Sequence, residues 1–452
     1  LFLPPGCKAP RGGPMRGAMR PALLLAAAMG VASAALTATR EAYPQIIAHR
    51  GACNYVPEHS LAAYRLAMDL GTDYIEPDLV LTSDGVFVAM HDLLLDQTTD
   101  VADHPEFADK KTTKVVSGVS WTGFFASDFT LAEIRTLRLR QRLSDTRTKL
   151  YDDLLQIPTF EEIAGLVHTW YANTSRLVGM YPELKHPSYH HDLGFDMEDM
   201  LLSSLRTLGF LTTNAPNDLS HVVPVVVQCF NASALRYLRP LTDLPLVMLL
   251  AGDVEVAMSE EALDDYATFA NALGPPVEFF TNQTGGNLTA ARQLVHAAHS
   301  RSLSLHPWQI RLEPRYVDPP FHGDARLWTS YLYCCVGLDG LFTEAPDLNR
   351  EVVDGMTGNW SEQCYTACPQ VLAAGEEDDD GRHRHHGGGS STTKMFLAAL
   401  AAAALVIAGL CVASNELQRR RTIELRELPE DDIMSTVTDE DAARVPLARS
   451  GT

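Results

Sequence analysis

The sequence predicts an α/β protein whose body is a closed (β/α)8 barrel with a small inserted subdomain, flanked by a signal peptide and one C-terminal transmembrane helix. Three observations carry that expectation. Short apolar or β-branched runs recur through the body: "QIIAHR", "DYIEPDLV", "VFVAMHD", "LVGMYPELK", "VVPVVVQCF", "PLVMLLA", "VEFFT", "LSLHPWQI" and "GLDGLFTE". Strands that are apolar throughout, rather than alternating, belong to a parallel sheet buried on both faces. The text between them is amphipathic and helical, and the alternation extends over the length that an eight-fold barrel of ~250 residues or more requires.

The elements follow in order. The chain begins at Leu1, with Met15 and Met19 as candidate starts. From Met15, Arg16 and Arg20 form a basic region, Ala22 to Val31 an apolar region, and Ala32-Ser33-Ala34 a small-residue cleavage pattern, so that residues 15–35 read as a signal peptide. An uncleaved anchor is the alternative, although the run is shorter than the ~20 residues a span needs. The barrel is expected over residues 43–352. In its first helix Ser60 is the N-cap, Leu61, Tyr64 and Met68 share a face, and Gly71 suits the position just past the end. Residues 93–157 are a polar stretch with helical pieces, too long for an ordinary strand-to-helix connection, and are expected to form a subdomain over one barrel end.

Beyond the body, residues 372–394 read as a flexible stalk, acidic, then basic, then rich in Gly and Ser. The cluster Arg382 to His386 within it could bind metal or be a solvated linker. Residues 395–413, "MFLAALAAAALVIAGLCVA", carry no charge and precede Arg419-Arg420-Arg421, which predicts a span with a cytoplasmic tail over 414–452. A buried helix is the alternative. The expected topology is a single-pass type I membrane protein with its barrel luminal or extracellular. Sequons at Asn173, Asn231, Asn282, Asn287 and Asn359 all fall between the two apolar segments. Cys53, Cys229, Cys334, Cys335, Cys364 and Cys368 would share an oxidising compartment, with pairing unreadable. The formal net charge of -21 excludes sequence-independent binding to nucleic acid, because phosphates would be repelled.

Chemistry-bearing residues gather at strand ends. Glu76 and Asp78, two apart in "YIEPDLV", point the same way from a strand, and two such carboxylates facing inward call for a cation. An exposed loop is the alternative if the pair is taken alone. Glu183 and Lys185 repeat the spacing in "MYPELKHP". All strand ends of a barrel converge on one face, so Glu183 becomes a third carboxylate of the same cluster. His49 and His91 end two further runs and can move protons near neutral pH. With Arg50 and Lys185 beside them, the set suits an anionic substrate, and a phosphodiester is the natural candidate.

The order and spacing of "AHRGACNYVPEHSLAAYRLAMDLGTDYIEPDLVLTSDGVFVAMHD", "TTDVAD", "YPELKHPSYHHD", "VVVQCFNASALRYL", "LHPWQIR" and "GLDGLFTEAPD" resemble the glycerophosphodiester phosphodiesterase family, in its longer, periplasmic-type members. The resemblance implies a barrel enzyme of glycerophospholipid metabolism that splits glycerophosphodiesters, such as glycerophosphocholine, into glycerol 3-phosphate and an alcohol. It implies metal ligation by Glu76, Asp78 and Glu183, with calcium the usual ion and magnesium a second option. It further implies His49 and His91 as acid and base, Arg50 and Lys185 as phosphate-side cations, and Glu58, Gln228 and Trp308 as cleft residues. In some relatives the second histidine joins the metal shell. Glu344 stands where the family commonly has aspartate, and Gln97 at a position often basic. Asn231, close to Gln228, is expected to be buried and unmodified. The rival readings are a lysophospholipase D using the same cleft and a non-catalytic surface barrel.

Overall fold

The computed structural model describes residues 44–211 and 223–356, together with Cys368. The expected signal peptide, stalk, span, cytoplasmic tail and Arg382 to His386 cluster lie outside the described residues, as do Asn359 and Cys364. Among the described residues no helix is long and apolar enough to cross a membrane.

Thirteen strands are described: β1 Gln45–His49, β2 Tyr74–Glu76, β3 Asp78–Leu81, β4 Phe87–Ala89, β5 Thr112–Val116, β6 Val119–Gly123, β7 Gly179–Met180, β8 Glu183–Leu184, β9 Val227–Cys229, β10 Leu246–Leu249, β11 Ala272–Gly274, β12 Ser304–Leu305 and β13 Gly340–Thr343. All but β4, β5 and β6 form a ring of eight parallel staves, two of which are each made of two strands. β1 pairs with β13 on one side and β2 on the other, and the ladder continues through β7 and through β3, β8, β9, β10, β11 and β12. A parallel bridge from Ile310 to Thr343 closes it.

Two staves are broken by proline. Pro77 separates β2 from β3 and Pro182 separates β7 from β8, because a residue without an N–H cannot extend the ladder. Each break lies beside the carboxylates singled out above, so that Glu76 closes β2 while Asp78 and Glu183 open β3 and β8. The carbonyl of Pro77 still accepts from the Glu183 N–H at 2.9 Å, which keeps the two interrupted staves in register.

Side chains alternate across each strand. The inward layer is Ile47, Tyr74, Tyr181, Val226, Val247, Ala272 and Phe342, with Trp308 against it. The outward residues join the larger core under the surrounding helices, which include Leu61–Asp69, Phe160–Thr174, Met197–Thr207, Leu288–His299 and Pro346–Asp354. Ser60 caps the first of these by accepting from the Ala63 N–H, and Gly71 follows its end at φ +89°. Gly51 has a different reason from the close approach to ligand that a strand-tip glycine suggests. It stands at φ +83°, and a Cβ there would lie 2.7 Å from the Ala63 carbonyl carbon, so that helix packing excludes any side chain.

Two apolar runs turn out not to be staves. "VEFFT" forms a 3-10 turn, Val277–Phe280, and the sixth stave is the preceding Ala272–Gly274. "VFVAMHD" contributes β4, which pairs antiparallel with β3 and leads out of the ring into the insertion. There β5 and β6 form a hairpin whose two-residue turn, Ser117 and Gly118, has positive φ at both positions. The insertion has its own apolar cluster, including Val101, Phe107, Phe125, Phe129, Leu139 and Ile157. Cys335 and Cys368 form a disulfide, Cys334 is also disulfide-bonded, and Cys53 and Cys229 are free and buried.

His190, in the helix Pro187–Asp192, is fully buried and neither ring nitrogen has a hydrogen-bond partner. Burial, then the neighbouring His186 and His191, hold its pKa down at about 4. The unfolded chain therefore binds a proton at His190 before the folded protein does as pH falls from 6.5 to 4, and stability drops over that window. His190→Leu removes both that protonation and two unsatisfied nitrogens, each costing about 1–3 kcal/mol. The variant is expected to show a higher urea midpoint than the parent, with the gain larger at pH 5 than at pH 7. A gain independent of pH would disprove the electrostatic part of this account.

Candidate active site

Two residues beyond the inward layer, each of five staves delivers a side chain to the mouth of the barrel. Ile47 is followed by His49, Tyr74 by Glu76, Tyr181 by Glu183, Val226 by Gln228 and Phe342 by Glu344. The register makes neighbours of them, with His49 beside Glu76, Asp78 beside Glu183, and Glu183 beside Gln228. The oxygens of Glu76, Asp78 and Glu183 lie within 4.8 Å of one another, and all three residues are buried.

That cluster is electrostatically unbalanced. Asp78 contacts Arg50 at 3.4 Å, His59 Nε2 at 3.0 Å and Lys185 at 3.6 Å. Burial opposes its ionisation, but Lys185 and the His59 hydrogen bond outweigh it and hold Asp78 well below the carboxylate range. Glu76 accepts from the Arg50 N–H at 2.8 Å and from Gln228 Nε2 at 2.9 Å, which is not enough. Burial, then Asp78 and Glu183, push it well above that range. Glu183 is pushed up to about 8, by burial against the pull of Lys185 at 2.9 Å, with Asp78 adding to the rise. Gln228 Oε1 is buried without a partner. An all-oxygen donor set with two carboxylates short of compensating charge fits a hard divalent cation, and these residues could hold one.

Both histidines are anchored through Nδ1. His49 Nδ1 is 3.2 Å from Glu344 Oε1, and since burial of Glu344 is outweighed by the His49 hydrogen bond, Arg147 and Arg311, that carboxylate stays ionised and accepts. Burial, then Arg50, hold His49 itself at about 4. His91 Nδ1 donates to Asp92 Oδ1 at 2.7 Å, and burial followed by Arg50 and Lys185 lowers its pKa too. Each imidazole is thereby neutral and keeps Nε2 as the nitrogen left for chemistry.

The remaining expected residues occupy the rim. Arg50 Nη1 donates to Glu58 Oε1 at 3.1 Å, and Glu58 is gripped on both oxygens by Arg142. Lys185 Nζ lies 5.9 Å from the ring centre of Phe230, which meets Trp308 edge-on at 6.0 Å. Trp308 is fixed by its Nε1–H to the Gly274 carbonyl at 2.9 Å. Gln97 accepts from Arg142 at 2.7 Å. Asn231 is half-buried rather than buried: its Oδ1 caps the helix Ala232–Leu238 and its Nδ2 donates to Ser188 Oγ at 2.9 Å.

Sequence reasoning passed over the roles of Glu344, His59, Asp92, Arg142 and Arg147. Glu344 carried a usable signal, since it follows inward Phe342 by the same two residues that separate His49 from Ile47. His59 had its position in "PEHS" next to Glu58. The two arginines had none, because they lie in an irregular stretch of the insertion.

Residues 49–348 match the model of the glycerophosphoryl diester phosphodiesterase family. A glycerophosphodiester phosphodiesterase of Arabidopsis thaliana is 34% identical over 316 residues, covering 67% of this chain and 83% of its own. One from Haemophilus influenzae is 27% identical over 347 residues, covering 69% and 90%, and one from Bacillus subtilis 28% identical over 316, covering 68% and 86%. With a family match that runs along the whole barrel and with phosphodiesterase relatives that cover it, the chain belongs to the glycerophosphoryl diester phosphodiesterase family and is an enzyme of that class.

Proposed function

We propose that this enzyme hydrolyses glycerophosphodiesters such as glycerophosphocholine to glycerol 3-phosphate and an alcohol, with calcium held by Glu76, Asp78 and Glu183. The observation that carries the reading is the placement, at one barrel mouth, of an undercompensated three-carboxylate cluster beside two imidazoles each anchored through Nδ1. When bound, the cation supplies polarisation of the phosphoryl group and neutralises charge that develops on it.

The protein's own residues do the rest. Arg50 and Lys185 draw the phosphodiester anion to the cluster and orient its free oxygens. The anion offsets the two cations that depress the histidines, which brings one imidazole toward the protonated form. The neutral imidazole accepts the proton of the attacking hydroxyl at Nε2, and the protonated one returns a proton to the departing alkoxide. Glu344 and Asp92 keep Nδ1 protonated throughout, so each ring presents the correct nitrogen. Glu58 holds Arg50, Gln228 holds Glu76, and Trp308 forms the rim.

The same reading puts the barrel on the luminal or extracellular side of a membrane, tethered by the span at 395–413. Its support is the Cys335–Cys368 disulfide, which suits an oxidising compartment, and the uncharged run ahead of Arg419-Arg420-Arg421.

The purified protein is expected to release glycerol 3-phosphate from glycerophosphocholine, to lose that activity to a chelator and to regain it with calcium. Turnover that survives exhaustive chelation would sink the metal assignment. Preferential cleavage of lysophosphatidylcholine would move the substrate to lysophospholipids.

A further inference from the structure

Behind each anchored histidine stands an arginine from one short stretch of the insertion, residues 141–147. Arg142 Nη2 donates to Asp92 Oδ2 at 2.7 Å, while Asp92 Oδ1 holds His91. Arg147 Nη2 donates to Glu344 Oε2, while Glu344 Oε1 holds His49. Both relays have the same form: arginine, carboxylate, imidazole. The stretch is also tied to the turn that follows β1. The Cys53 carbonyl accepts from Gln141 Nε2 at 3.2 Å and from Arg147 Nη1 at 3.0 Å, and Cys53 Sγ donates to the His49 carbonyl at 3.2 Å. Arg147 Nε is held in turn by Glu313 at 2.6 Å.

We propose that residues 141–147 form a positioning strap for the acid–base pair, in which Arg142 acts on His91 through Asp92 and Arg147 acts on His49 through Glu344. The inference rests on the reading of His49 and His91 as acid and base. An insertion that merely covered the barrel end would do so with apolar contacts, as its own cluster does elsewhere. The Arg147 side chain, with 5% exposure, and that of Arg142, with 17%, bear a desolvation cost that ordinary packing would not require. Their planar forks suit the task, since a guanidinium grips several acceptors in fixed directions where an ammonium does not. A carboxylate held in this way fixes its imidazole in one tautomer and one orientation.

The test uses the full chain at saturating calcium with glycerophosphocholine. Arg142→Met and Arg147→Met are expected to lower kcat by about 10–100-fold. KM should stay within about twofold in Arg147→Met, whereas Arg142→Met also releases Glu58, which holds Arg50, and should raise KM as well. In a Glu344→Gln background Arg147→Met should add no further loss, whereas in an Asp92→Asn background its loss should multiply. Arg315→Ala breaks exposed ties to Asp145 and Thr146 on the strap, neither of which reaches Asp92 or Glu344, and should leave kcat unchanged. Wild-type kcat in both methionine variants overturns the proposal, as does an equal loss in Arg315→Ala, which would mean that any loosening of the insertion suffices. If a methionine variant fails to fold, Arg142→Lys or Arg147→Lys decides, since it keeps the charge and loses the fork: a reduced kcat supports positioning, and a full one overturns it. Active His49→Ala and His91→Ala enzymes would instead remove the acid–base reading itself. Inactive histidine variants alongside fully active arginine variants would remove only the strap.

Discussion

Alanine at position 49 is expected to lower kcat on glycerophosphocholine by about 10²–10⁴-fold, the usual contribution of a positioned proton-transfer group, while the protein remains folded. In the proposed mechanism His49 acts through Nε2, and its Nδ1 is held by Glu344. When the ring is removed, Glu344 still has Arg147 and Arg311, so no buried charge is stranded. Calcium affinity should change little, because the three carboxylates keep all their partners. Steady-state kinetics combined with thermal melting checks this. A variant retaining more than about a tenth of parental kcat at an unchanged melting temperature would exclude His49 from the proton inventory. His91→Ala is expected to fall in the same direction.

The second large effect has two signs in one variant. Glu76→Gln should abolish most calcium-dependent activity and yet stabilise the ion-free protein at pH 7. Glu76 is pushed up by burial and by its carboxylate neighbours. A carboxyl whose folded pKa exceeds its unfolded value of about 4.5 contributes stability below that pH and loses it as pH rises through the folded pKa. Ion-free parent protein should therefore weaken on going from pH 5 to pH 8, and calcium should reverse the loss by keeping both strained carboxylates ionised. The substitution removes a buried carboxyl whose charge the fold disfavours, so that folding at pH 7 no longer has to take up a proton there. The new amide is accommodated because Gln228 has an unpartnered Oε1, and rotating the Gln228 amide presents an acceptor to the introduced Nε2–H₂. The measurement is the melting temperature with chelator and with calcium. The ion-free variant should melt above the ion-free parent, with most of the calcium-induced rise gone. A full calcium shift in the variant would place the cation elsewhere.

Much of this site was legible because a barrel converts strand-end chemistry into proximity. "IIAH", "YIEPD" and "MYPEL" each announce a buried stave, and the residues at their ends meet whatever their separation in sequence. Pro77 and Pro182 stand directly before Asp78 and Glu183 in those runs, and each marks a strand interruption by lacking a ladder donor. The errors have equally local causes. "VFVAMHD" has the composition of a parallel stave, and only pairing direction, which composition does not encode, makes β4 a hairpin partner of β3. "VEFFT" is apolar enough for a strand, but its backbone follows Pro276 into a tight turn. Arg142 and Arg147 were invisible, since an irregular loop gives no period from which the direction of a side chain can be inferred.

The pairing of β1 with β13 joins residues near opposite ends of the barrel: Gln45 to Gly340 and Ala48 to Thr343. The carboxylate that anchors His49 comes 295 positions later in the chain. A polypeptide still being synthesised can thus have its three-carboxylate cluster, its first histidine and its whole insertion outside the ribosome and remain unable to orient that histidine. Competence arrives with the last stave, in the same event that removes both exposed sheet edges. On the proposed acid–base reading, termination anywhere before Glu344 yields a chain that is inert as well as open-edged, so the closure that makes the fold also times the onset of its chemistry.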